Sequence, residues 1–265
     1  MSRPPRDAAV PEVSPALLGA FRRYVEPYVR RHFHAVRLAR SEALSQIAPG
    51  EPLIVYLNHP SWWDPLLGLI LAHRLFPERR HFGSIEAQAL TRYSFFGKLG
   101  FFGVEPGTAG GARRFLATSQ SILARPGGTL WITPGGRFGD PRVRPVRLAS
   151  GLGHLARRLR SGVLLPLALE YPFWEERFPE ALARFGEPID IGELRLGADD
   201  WMALLADRLS ATQDALAADA LGRDPARFEP LLGGNAGVGG VYDLWRRWKA
   251  RARGESFRRE HGVEG

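Results

Sequence analysis

The chain has 265 residues, enough for one large domain or two small ones, and 45% of them are hydrophobic, so it can bury a substantial core. It contains no cysteine, which excludes disulfides, thiolate metal sites and a cysteine nucleophile, and fits a reducing compartment. The formal net charge of +8 favours an anionic partner such as nucleic acid, anionic lipid or an acidic carrier.

Residues 1 to 14 are rich in Pro, Arg and Ala and read as a flexible tail. Ser14-Pro15 has the form of an N-cap followed by proline at the first helical position. The spacing predicts an amphipathic helix over 15 to 40, with Pro27 as a candidate break. Leu17, Leu18, Phe21, Tyr24, Val25, Tyr28, Val29, Phe33, Val36 and Leu38 alternate with arginines at helical period. This segment either packs on the domain with a solvated basic face or lies on an anionic membrane surface. No apolar run approaches the ~18 to 20 residues that span a bilayer, and the N-terminal stretch lacks the apolar region of a secretory signal. The expectation is a cytoplasmic protein, peripheral on the inner face of the cell membrane.

From residue 41 the pattern changes. PLIVYLN, RRHFGSI, GFFGVE, GTLWITP and SGVLLPLALEY are short apolar runs rich in β-formers. Helix-length stretches separate them, at 61 to 74, 87 to 98, 110 to 124 and 148 to 160. Continuous apolar strands alternating with helices predict an α/β domain over 41 to 232, with a largely parallel or mixed central sheet flanked by helices. A further strand is expected near LARFGEPI, and 199 to 221 reads as an amphipathic helix. GGNAGVGG, 233 to 240, has the composition of a linker, and DLWRRWKARARG beyond it reads as a basic helix with two tryptophans on one face.

Seven histidines are candidates for chemistry, and spacing does not separate them. His59, His73 and His81 each have an acid five residues on: Asp64, Glu78 and Glu86. Position does. His73 falls late in a predicted helix and His81 at the start of a predicted strand. His59 alone stands between a buried strand and a new helix, where α/β domains bind ligands. Pro60 biases His59 away from helical conformation. The pattern places Asp64 in the second turn of the helix, with the His59 ring folding back toward it. In such a pair the carboxylate fixes the imidazole tautomer, and the other ring nitrogen takes a proton from an attacking hydroxyl. The alternative is that Asn58 or Ser61 caps the helix and His59 is a satisfied polar residue. Trp62 and Trp63 either pack the helix start, or one of them lines a ligand tunnel or touches a membrane interface.

NHPSWWDP resembles the N-H-x-S-x-x-D block of the glycerolipid (lysophospholipid) acyltransferase family. Three further blocks follow in the family's order. GFFGVEPGTAGGARRF stands for G-x-x-x-x-x-R, WITPGGRFGD for F-P-E-G-T-R-S, and GVLLPLALEY for an apolar strand with an internal proline. The resemblance implies transfer of a fatty acyl group from acyl-CoA or acyl-carrier protein to a lipid hydroxyl. His59 would be the general base and Asp64 its orienting partner, with Asn58 and Ser61 of the same block as substrate-binding residues. The oxyanion would be held by backbone donors or a nearby polar group. No cofactor or metal is implied, the partners being a lipid acceptor, an acyl thioester donor and an anionic membrane surface. The second reading is a basic nucleic-acid or anionic-surface binding protein; nucleic acid is not expected, since the chain has no zinc spacing and no recognisable RNA-binding signature. A hydrolase using the same dyad on water, or a lipid binder without turnover, is a third reading.

The chain also departs from the family pattern. Pro134 and Gly136 are kept, but Gly135 replaces the glutamate, and Arg137 stands one position before the family's arginine. Glu105-Pro106-Gly107 lies where an arginine is expected, leaving Arg113 and Arg114 as substitutes. In the family these blocks hold the phosphate end of the acceptor. The departures leave the acceptor open among lysolipids, glycolipids, amino-acid lipids and glycosylated isoprenoids.

Overall fold

The computed structural model describes residues 9–236. The Trp/Arg helix expected near the C-terminus and the second half of the Gly-rich linker lie outside them, as does the start of the N-terminal tail.

The first described residues are docked rather than free. Val10 and Val13 pack against the core, and the Ser14 N–H donates to Lys98 O (2.9 Å). α1 (Pro15–His32) starts where Ser14 caps the Leu17 N–H. It runs through Pro27, which ends nothing, and stops at Phe33, whose backbone is extended. The helix expected to reach residue 40 is therefore shorter. Residues 33 to 40 instead supply β1 (Ala35–Ala39), whose Val36 and Leu38 are buried in the sheet. An apolar run buried on both faces has no period of its own, so the helical spacing carried through it by accident.

The remaining elements alternate as expected. β2 (Leu53–Leu57) leads to α2 (Asp64–Leu75), and β3 (Arg80–Glu86) to the short helices α3 (Ala87–Arg92) and α4 (Phe95–Lys98). β4 (Phe101–Val104) precedes α5 (Ala109–Leu123), and β5 (Gly128–Ile132) precedes α6 (Gly151–Arg158). β6 (Val163–Glu170), β7 (Glu180–Phe185), β8 (Ile189–Asp190), α7 (Ala198–Leu221) and β9 (Phe228–Gly233) complete the chain. β9, built in part from the start of the expected linker, was not anticipated.

The strands form one open sheet in the order β4-β3-β5-β2-β6-β7-β1-β9, with β8 paired to the first half of β6. From β4 to β6 the pairings are parallel, β6 and β7 are antiparallel, β7 and β1 are parallel, and β9 closes the edge antiparallel. The sheet is mixed. β2 lies near its middle and every residue of it is buried. Leu53, Val55 and Leu57 pack with Leu71 of α2 on one face, while Ile54 and Tyr56 face the layer of α5, α6 and α7. α1 covers α2 through Val25 and Val29 against Leu67 and Ile70. The carboxyl ends of β2 and β6 thus emerge side by side between two helical layers.

Candidate active site

Asn58 is the residue just past the end of β2. Its side-chain amide donates to Leu169 O (3.0 Å) and its Oδ1 accepts from Leu169 N–H (2.8 Å). This two-way bond continues the β2–β6 ladder by one rung. It makes Asn58 a positioning residue, not a group free to bind substrate. His59 follows at the sheet's upper rim, its side chain 19% exposed.

His59 Nδ1 lies 2.5 Å from Asp64 Oδ2. Asp64 is the first residue of α2 rather than part of its second turn, and its side chain is 1% exposed. A carboxylate at a helix N-terminus lies at the positive end of the peptide dipoles. It also receives specific donors. The Ser61 N–H donates to Oδ2 (3.1 Å), and the Tyr171 hydroxyl donates to Oδ1 (2.5 Å). Ser61 Oγ accepts from the Trp63 N–H (3.3 Å), which shapes the turn. Burial and the neighbouring Asp64 charge together push the Tyr171 hydroxyl well above the ordinary tyrosine range, so it stays a neutral donor. A carboxylate so placed orients the ring with its Nδ1–H toward Asp64.

The tryptophans divide. Trp63 packs into the layer between α1 and α2, with ring centroids 4.8 Å from Phe33 and 5.5 Å from Tyr28. Trp62 stacks on Trp63 but remains 52% exposed. Tyr24, Phe95 and Tyr93 are exposed too. Ring contacts run Phe95–Phe21–Tyr24–Tyr28–Trp62, forming an aromatic strip from α4 along α1 to the rim beside His59.

The loop after β5 also reaches the dyad. Pro134 is buried, while Gly135, Gly136 and Arg137 are exposed. Gly136 has φ +68° and its N–H donates to Thr133 O, making the first turn. The Gly139 N–H then donates to His59 O (2.9 Å), and the Phe138 ring centroid lies 4.4 Å from the imidazole. Arg113 and Arg114 are exposed on α5, and Arg114 lines a different cleft, of about 450 Å³, with Lys98 and Glu12. The other two histidines with an acid at +5 have structural surroundings. His81 accepts from Trp131 Nε1–H (3.1 Å) and its Nε2 faces Phe76 O (2.9 Å), while His73 sits in the last turn of α2.

Two contributors escaped the sequence reading. Tyr171 was the last residue of a recognised block but carried no role. Its signal is position: a hydroxyl one residue past the strand that neighbours β2. Phe138 follows Arg137, and nothing in the sequence pattern sets it apart.

Among the described residues no helix is long and apolar enough to cross a membrane. No protein of curated function matches the chain in sequence. Among solved structures, it is similar to PlsC, the 1-acyl-sn-glycerophosphate (LPA) acyltransferase of Thermotoga maritima. The TM-score is 0.51 at 15% identity, over 76% of this chain and 80% of that one, which is a likeness of fold. The acyltransferase family model matches residues 36–170, from the first strand to the end of β6 and including the His59 turn and the loop that covers it. That match spans half of the chain, and the protein belongs to the acyltransferase family.

Proposed function

We propose that the protein transfers a fatty acyl group from a thioester, acyl-CoA or acyl-carrier protein, to a hydroxyl of a lysophospholipid or related lipid. The observation that carries this reading is the 2.5 Å contact of His59 Nδ1 with a buried Asp64 whose carboxylate is held by two further donors.

The steps balance without a cofactor. Nε2 of His59 takes the proton of the acceptor hydroxyl as its oxygen attacks the thioester carbonyl. Asp64 stabilises the imidazolium that forms. The tetrahedral oxyanion is met by backbone donors or a nearby polar group. The intermediate collapses, the C–S bond breaks, and the imidazolium returns its proton to the departing thiolate. The products are an acylated lipid and a free thiol. Pro134, Gly135, Gly136 and Arg137 border the acceptor in this reading, with Arg137 the cation nearest in sequence to Phe138. Arg114 lines the other cleft with Lys98 and Glu12, and Arg113 stands exposed beside it on α5.

The exposed aromatic strip supports attachment to a membrane surface. Rings at an interface bury apolar area while staying near headgroups, and arginines on α1, including Arg23, Arg30 and Arg31, add attraction to anionic lipid. The strip ends at Trp62, beside His59, which suits an acceptor drawn from the bilayer.

The test is thiol release from acyl-CoA in the presence of lysolipid vesicles. His59→Ala is expected to abolish transfer, and Asp64→Asn to lower it by at least about 100-fold, because each removes general-base catalysis. Transfer at the unaltered rate in both variants would sink the dyad.

A further inference from the structure

A histidine base does not by itself tell a lipid hydroxyl from water, because both offer an O–H. A transferase must keep its base dry. Asp64 is fully covered, but His59 stands at the rim with 19% of its side chain exposed. What covers it on the solvent side is the loop between β5 and α6.

That loop is fastened at several points. Its neck is closed where the Ala149 N–H donates to Pro134 O (2.7 Å). Its underside is tied to α7, where Gln213 Nε2 donates to Pro141 O (2.8 Å) and Arg144 pairs with Asp214. Within it, Arg142 grips Asp140 with two guanidinium nitrogens. Its apex is tied to the dyad itself, through the Gly139 N–H to His59 O bond of 2.9 Å. Phe138 sits immediately before that tether. Its ring centroid is 4.4 Å from the imidazole at an angle of 48°, and the residue remains 58% exposed. An exposed phenylalanine is unfavourable in water unless something holds it or covers it. Here the loop holds it against the base. In the family pattern this position is the arginine of F-P-E-G-T-R-S. A guanidinium would bring hydration to the site, whereas a phenyl ring brings none.

We infer that Phe138 shields His59 from water, and so sets how the acyl group divides between a lipid hydroxyl and loss to hydrolysis. The inference rests on the acyl-transfer reading above. In the transfer reaction the thioester and the acceptor O–H give ester and thiol. In the leak, the thioester and water give fatty acid and thiol through the same base.

The experiment compares the wild type with Phe138→Ala and Phe138→Leu, the second restoring most of the apolar bulk. Palmitoyl-CoA is supplied with and without lysophospholipid vesicles, and free thiol and free palmitate are both measured. The expected result is a several-fold rise in palmitate per thiol released in Phe138→Ala, largely reversed in Phe138→Leu. An unchanged ratio across the three proteins would overturn the proposal. A second measurement does not need turnover: the rate of His59 carbethoxylation by diethyl pyrocarbonate, read by peptide mass spectrometry. It should rise in Phe138→Ala and fall back in Phe138→Leu, and equal rates would also overturn the shield. Faster carbethoxylation in a protein whose wild type releases no thiol from any acyl donor would uphold the cover over His59 and reject the acyl-transfer reading instead.

Discussion

Asp64 is the most constrained residue of the site. Three donors converge on its two oxygens, from His59, Ser61 and Tyr171, and almost none of it meets solvent. Burying a carboxylate is costly unless such donors replace water. Tyr171 is the donor whose removal is cleanest, because its ring has a separate task, lying 5.6 Å from Phe33 in the layer under α1. Tyr171→Phe keeps that packing and deletes only the hydroxyl. The bond to a charged group is worth about 1.5–3 kcal/mol. Asp64 then loses part of the force that fixes the imidazole, so kcat should fall roughly ten- to a hundredfold with KM little changed. A steady-state comparison at saturating donor checks this. A rise in KM with constant kcat would place Tyr171 in substrate binding instead.

At the scale of elements, Asn58 joins β2 to β6 where both strands end. Truncation at Asn58→Ala would leave the Leu169 N–H and C=O without their partners. The expected loss is about 1–3 kcal/mol in a urea titration, together with lower activity as the His59 turn loosens. Unchanged stability would show that the rung is dispensable. The same region explains what was legible in the sequence. The five apolar runs and the helices between them could be read because each change of period was bounded by Gly, Pro or charge. The His59–Asp64 pair could be read because Pro60 marks a turn beyond a buried strand. β1 could not, since its apolar residues prolong the spacing of α1. Nor could β9, whose Glu229 and Pro230 interrupt the apolar pattern of an edge strand. Tyr171 and Phe138 lay beyond reach for another reason. Tyr171 is 107 positions from Asp64, and Phe138 reaches His59 only because the order of the sheet sets β5 and β6 on either side of β2.

For the molecule as a whole, two histidines act on stability in opposite senses. His81 links three elements, since it faces Phe76 O at the end of α2 and accepts from Trp131 of β5 while standing in β3. Burial pushes its pKa down from 6.5 to about 4. The folded state therefore binds this proton less readily than the unfolded chain. Its contribution is fully present above 6.5 and is lost as pH falls toward 4. His34 is the reverse case. Its bond to the buried Glu180, which Arg37 also holds, raises its pKa. The stability it adds is complete below 6.5 and is lost as pH rises through the raised value. Between these two limits the fold should be most stable near neutral pH, with the acid side falling through His81. Over its whole window that loss comes to about 3–4 kcal/mol. His81→Gln keeps a donor and an acceptor but cannot titrate. Guanidinium unfolding of the wild type at pH 7.5 and pH 5 should show the midpoint falling, and the variant should show a smaller fall. An equal fall in both proteins would assign the acid side to other groups. The rising net positive charge of a chain already at +8 would then be the first to examine.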